Sequence, residues 1–96
     1  MAKGYWVTAY RSITNLEAVA KYGSVAAPII QALGGRILAR GNPVKTYEAG
    51  LNQRLVIVEF ETVEKAIAAY ESPEYQAAVL ILKDSAERDL RIMEGV

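Results

Sequence analysis

The side chains that stand out as candidates for chemistry in this chain are arginines, glutamates, tyrosines and its single tryptophan, since the sequence holds no histidine and no cysteine. Those two absences remove thiolate nucleophiles, disulfides, imidazole acid–base work near neutral pH and the usual zinc or iron ligand sets. Ser12, Ser24 and Ser85 have no histidine to activate them, which excludes Ser–His catalysis. Gly34, Gly35 and Gly41 lack the spacing of a phosphate loop and read as turn residues. The leading candidates are then guanidinium and carboxylate groups. Arg40 and Glu59 can together recognise a carboxylate or an enolate-like substrate, or else form a structural ion pair. Glu59 is the general-base candidate, since burial beside Leu55, Ile57 and Trp6 favours the neutral acid. Arg91 can stabilise negative charge or sit as a surface residue on an edge strand. Trp6 and Tyr10 can stack on a planar ligand or pack an interface. Glu48 and Arg54 flank a connection and are expected to pair across its base. No pattern for a cofactor or metal is present.

Alternation and capping signals define the elements that must position these groups. Gly4 to Arg11 reads as a strand. Thr14 to Glu17 has capping-box spacing and opens a helix, which Gly23 and Pro28 should kink or divide and Gly34-Gly35 should stop. Arg36 to Arg40 is a strand, broken at Gly41-Asn42-Pro43 and resumed from Val44 to Glu48; Ala49 to Gln53 forms a hairpin connection. Arg54 to Phe60 is the most apolar strand and runs directly into a helix capped by Thr62. A second helix start falls at Ser72-Pro73-Glu74, with Ser at the cap and Pro in the first turn. Leu90 to Glu94 closes the chain as a strand. The order β-α-β-β-α-β is that of an α+β, ferredoxin-like domain spanning 1–96, a four-stranded antiparallel sheet with helices on one face.

One sheet face packs on the helices and the other meets water or a partner. Placing Tyr5, Val7, Ala9, Ile37, Val56, Val58, Phe60, Leu90 and Ile92 under the helices gives a nearly dry core. Trp6, Thr8, Tyr10, Leu38, Arg40, Leu55, Ile57, Glu59, Arg91 and Met93 then fall on the open face. That set is too apolar for a wetted surface, so a sheet-on-sheet homodimer is expected, its polar groups facing a chamber between the subunits.

Composition agrees. The chain has 96 residues, 52% of them hydrophobic, so self-association would help a small core. Eleven basic and 11 acidic residues are interspersed, so no concentrated patch for nucleic acid forms. No stretch is long and apolar enough to span a membrane or to act as a secretion signal, which makes a cytoplasmic location the expectation.

The Arg54–Gln76 run, Gly4-Tyr5-Trp6, the tract from Gly34 to Gly41 and Glu94-Gly95 together resemble the DUF1330 family, a domain of unknown function, over essentially the whole chain. The resemblance implies a ferredoxin-like subunit that pairs into a dimeric α/β barrel, and it brings no established reaction or catalytic residue. Val19 stands where the family pattern suggests an aromatic, and Glu48-Ala49-Gly50 replaces a plain Glu-Gly step. The wider barrel group includes cofactor-independent monooxygenases, muconolactone isomerase-like enzymes and haem-degrading enzymes; their histidine-based sites have no counterpart here. The functional expectation is a homodimer that binds a small anionic or aromatic metabolite between its sheets, with no cofactor. Proton transfer or oxygenation there would use Glu59 as base beside Arg40, in a pocket with Trp6, Tyr10 and Arg91. The alternative is a non-catalytic interaction module with a purely structural interface.

Overall fold

The computed structural model describes residues 2–96. Its elements run β1 (Gly4–Ile13), α1 (Leu16–Ala32), β2 (Arg36–Gly41), β3 (Leu55–Phe60), α2 (Val63–Glu71), α3 (Pro73–Val79) and β4 (Ala86–Glu94). The strands form one antiparallel sheet in the order β2-β3-β1-β4. This is the expected β-α-β-β-α-β arrangement, with the second helical layer split at Ser72. No helix among the described residues is long and apolar enough to cross a membrane.

Local chemistry explains the boundaries. Asn15, not Thr14, caps α1 by accepting from the Ala18 N–H at 3.1 Å. Thr14 instead donates its hydroxyl to the Asp84 carbonyl at 3.1 Å, tying the helix start to the connection before β4. The expected division of α1 does not occur: Pro28 lies within one continuous helix, where it removes a single N–H from the ladder. Gly34 ends the helix with φ +96°, a conformation that a side chain resists. Thr62 and Ser72 cap α2 and α3 through the Lys65 and Tyr75 N–H groups, as their spacing foretells.

β1 runs on to Ile13 and β3 starts at Leu55, and two other strands differ more from expectation. β4 starts earlier, at Ala86. β2 does not resume at Val44; residues 42–54 form an irregular connection with Val44, Tyr47 and Leu51 exposed. Gly41 at φ +132° turns the chain away, Pro43 offers no N–H, and Glu48 at φ 53° precludes extended backbone.

The largest correction concerns β1. Trp6, Thr8 and Tyr10 face the helices, and Tyr5, Val7 and Ala9 face the open side, because Trp6 pairs with Val58 and Tyr5 with Glu59. Gly4 sets this parity. A Cβ there would lie 2.6 Å from the Thr62 carbonyl oxygen, so the even-numbered positions of β1 point at the helical layer. Trp6 then packs 5.1 Å from Phe60 and 4.9 Å from Tyr75, ring centre to ring centre, and donates its Nε1–H to the Ala66 carbonyl at 2.8 Å. Burial of each such aromatic contributes about 2–3 kcal/mol. The small residues Ala66, Ala69 and Ala78 let the helices approach these rings.

Candidate functional site

A row of polar side chains crosses the helix side of the sheet near the ends of its strands. Tyr10 on β1 stands opposite Arg88 on β4, and its N–H donates to the Arg54 carbonyl just before β3 at 2.9 Å. The guanidinium groups of Arg54 and Arg88 each lie 5.8 Å from the centre of the Tyr10 ring, a cation–π arrangement on both counts. Arg40 joins them from β2. A register shift between Ile37 and Ala39 brings Arg40 opposite Val56, and so onto the helix side with Ile37.

Tyr22 from α1 and Tyr75 from α3 close the row from above. Their hydroxyls hydrogen-bond to each other, and Arg88 Nη1 donates to both, at 3.1 Å and 3.2 Å. Burial first, then the neighbouring Tyr75, pushes the Tyr22 pKa well above the usual tyrosine value, with Arg88 opposing. Tyr22 is therefore a neutral hydroxyl at neutral pH. For Arg88, burial works against the charge, while the facing Tyr22 and Tyr75 oxygens favour it and shift its pKa upward overall. It stays cationic.

These groups line a cavity of about 40 Å³ between α1 and the sheet, with Trp6, Thr8 and Val19 among its walls. An open groove of about 540 Å³ continues outward along α1 past Leu16 and Ala20, and shares Arg40, Arg54, Val19, Gly23 and Ala27 with the cavity. Among the described residues no Asp or Glu lines either space. Arg54 Nε is buried and has no hydrogen-bond partner among the described residues. A buried guanidinium N–H without an acceptor is costly.

The five residues expected to share one chamber are thus divided by the sheet. Trp6, Tyr10 and Arg40 lie on the helix side, Glu59 and Arg91 on the open side. Glu59 accepts a hydrogen bond from the Tyr5 hydroxyl at 3.1 Å and sits 3.7 Å from Lys3, so Arg40 is not its partner. The acceptor Glu59 raises the Tyr5 pKa, first through that hydrogen bond. Arg91 pairs with Asp89 at 3.0 Å, as Arg11 does at 2.7 Å. The Asp89 pKa is lowered, chiefly by the hydrogen bonds from Arg91 and then Arg11. Glu48 and Arg54 are not among the ion pairs of the described residues. The site residues missed from the sequence are Tyr22, Tyr75, Arg88 and Arg54 in its cleft role. Arg88 carried a usable signal, since an arginine alternating with Leu90 and Ile92 must share their buried face.

The architecture defines the class: a ferredoxin-like α+β protein. Solved structures with this fold include a protein of unknown function from Rhodopseudomonas palustris, 18% identical with a TM-score of 0.70, covering 99% of this chain and 83% of that one. An ethyl tert-butyl ether d family protein from Bacillus halodurans is 17% identical with a TM-score of 0.68 over 100% of both chains. A dimeric ferredoxin-like protein of unknown function from Thermobifida fusca is 14% identical with a TM-score of 0.66, covering 97% of this chain and 91% of that one. Among curated proteins no sequence matches. The chain belongs to the DUF1330 family, a domain of unknown function, whose model matches residues 3–96.

Proposed function

We propose that this protein is a homodimer that binds a small anionic metabolite, one site per subunit, in the cleft between α1 and the sheet. The observation that carries the reading is the convergence of Arg40, Arg54 and Arg88 on a cleft without Asp or Glu, where Arg54 Nε is buried and unpartnered. Charge without a counter-charge, held against tyrosine rings, recognises an anion with an apolar or aromatic body. The chemistry such walls support is stabilisation of developing negative charge, as in enolate or oxyanion formation. The cleft lining includes no carboxylate or imidazole to take a proton, so proton abstraction by Glu59 is not part of this proposal.

Self-association rests on the other face. Val7, Ala9, Leu55, Ile57 and Met93 share it, with Leu55 37% and Met93 56% exposed. Covering these side chains with a second sheet removes apolar area from water, and two of the structurally similar proteins are described as dimeric.

A thermal-shift screen tests ligand binding, because a ligand selective for the folded state raises the melting temperature by mass action. Small organic anions should raise it in the native protein and leave the Arg54→Met variant unmoved. Equal shifts in both proteins, or none from any anion, would remove the cleft as a binding site. Molar mass measured by light scattering across a dilution series tests the dimer, and a monomer at every concentration would overturn it.

A further inference from the structure

We infer that the anionic group taken by this cleft is a planar carboxylate, its two oxygens received inside the cavity and its apolar body lying in the groove along α1. This rests on the anion-binding reading above and goes further by counting donors and space. Tyr22 and Tyr75 bring two hydroxyl protons, and only one is used in the bond between them. Arg88 contributes donors alone, so it cannot accept the second. No other acceptor bonds to either hydroxyl among the described residues. One tyrosine O–H is therefore left without an acceptor, and so is Arg54 Nε–H, on the walls of the same cavity. These two donors can each meet one oxygen of a carboxylate, with the Thr8 and Tyr10 hydroxyls on the same walls.

Volume selects among anions. A cavity of about 40 Å³ holds a group of about three non-hydrogen atoms. A carboxylate has that many; a sulfonate or phosphonate head is tetrahedral and larger. The remainder of the ligand must lie outside, where Leu16, Val19, Ala20 and Ala27 offer apolar contact beyond Arg40 and Arg54.

Isothermal titration of the full chain with isosteric probes tests this. The probes are 3-phenylpropionate, hexanoate, 2-phenylethanesulfonate, 2-phenylethylphosphonate and neutral 3-phenylpropanamide. The carboxylates should bind at least about tenfold tighter than the sulfonate, phosphonate and amide, since a buried donor left unpaired discriminates strongly. Arg54→Met should abolish carboxylate binding. Should that variant fold poorly, Arg40→Gln, at an exposed position on the groove wall, should weaken it about fivefold. Sulfonate or phosphonate binding as tightly as carboxylate overturns the carboxylate assignment while the anion site stands. An amide binding equally well, affinity unaffected by both substitutions, or no saturation by any probe at millimolar concentration overturns the site itself.

Discussion

The two faces of this sheet handle charge in opposite ways. On the open face Lys3, Arg11 and Arg91 each have a carboxylate neighbour, in Glu59 or Asp89. On the helix side Arg40, Arg54 and Arg88 gather without one. Paired charges on an accessible surface neutralise one another and contribute little. Unpaired charges held against tyrosine rings keep their field for something that arrives from solution. The proposed site rests on this contrast, on what is left unsatisfied and not on which residues are most reactive in isolation.

Substitutions on the two faces should therefore differ in kind. The largest effect is expected from Trp6→Ala, which removes a side chain 2% exposed together with its bond to Ala66. Chemical denaturation should register a loss of about 3–5 kcal/mol. Tyr5→Ala, one residue away on the other face, should cost far less; equal losses would contradict the strand parity. Next comes Ile57→Asp, a charge at the centre of the open face. It should leave the monomer folded and raise the dissociation constant of the proposed dimer at least about tenfold, read by light scattering.

A smaller effect separates the faces by pH. Tyr22 stays protonated in the folded chain at pH values where an unfolded tyrosine, near pKa 10, ionises. Its pKa is raised on folding, so its contribution to stability is complete below about pH 10 and is lost as pH rises beyond that toward the folded value. Tyr22→Phe should flatten the alkaline slope of the unfolding free energy, and an unchanged slope would count against its burial. The smallest change in stability is expected at Arg54. Arg54→Met keeps most of the apolar stem and deletes an unpaired buried donor, so the unfolding free energy should stay within about 1 kcal/mol of the native value or rise. A large loss would mean that Arg54 is a structural residue.

The fold was legible because its signals are local. Thr62, Ser72 with Pro73, and Gly34 each act on the backbone beside them, and the element order follows from them. The site was not, for two reasons of parity. Tyr5 to Tyr10 alternates between two sets that are both apolar enough to be buried, so periodicity alone could not say which set faces inward. The deciding fact is the contact between Gly4 and Thr62, which joins residues far apart in sequence. Arg40 was misdirected by an irregularity between Ile37 and Ala39, whose neighbours in sequence give no unambiguous sign of it. Glu59 is the acid on the most apolar strand, yet Tyr5 and Lys3 already occupy it.

Arg54 closes the irregular connection of residues 42–54 and stands immediately before β3. Its backbone carbonyl is anchored to Tyr10, while the chain preceding it is exposed from Val44 to Asn52. Insertions or deletions in that exposed stretch should leave undisturbed the strand that follows Arg54 and the bond that fixes its backbone. Length changes in this loop are thus uncoupled from the position of Arg54, because the chain is pinned only where it re-enters the sheet.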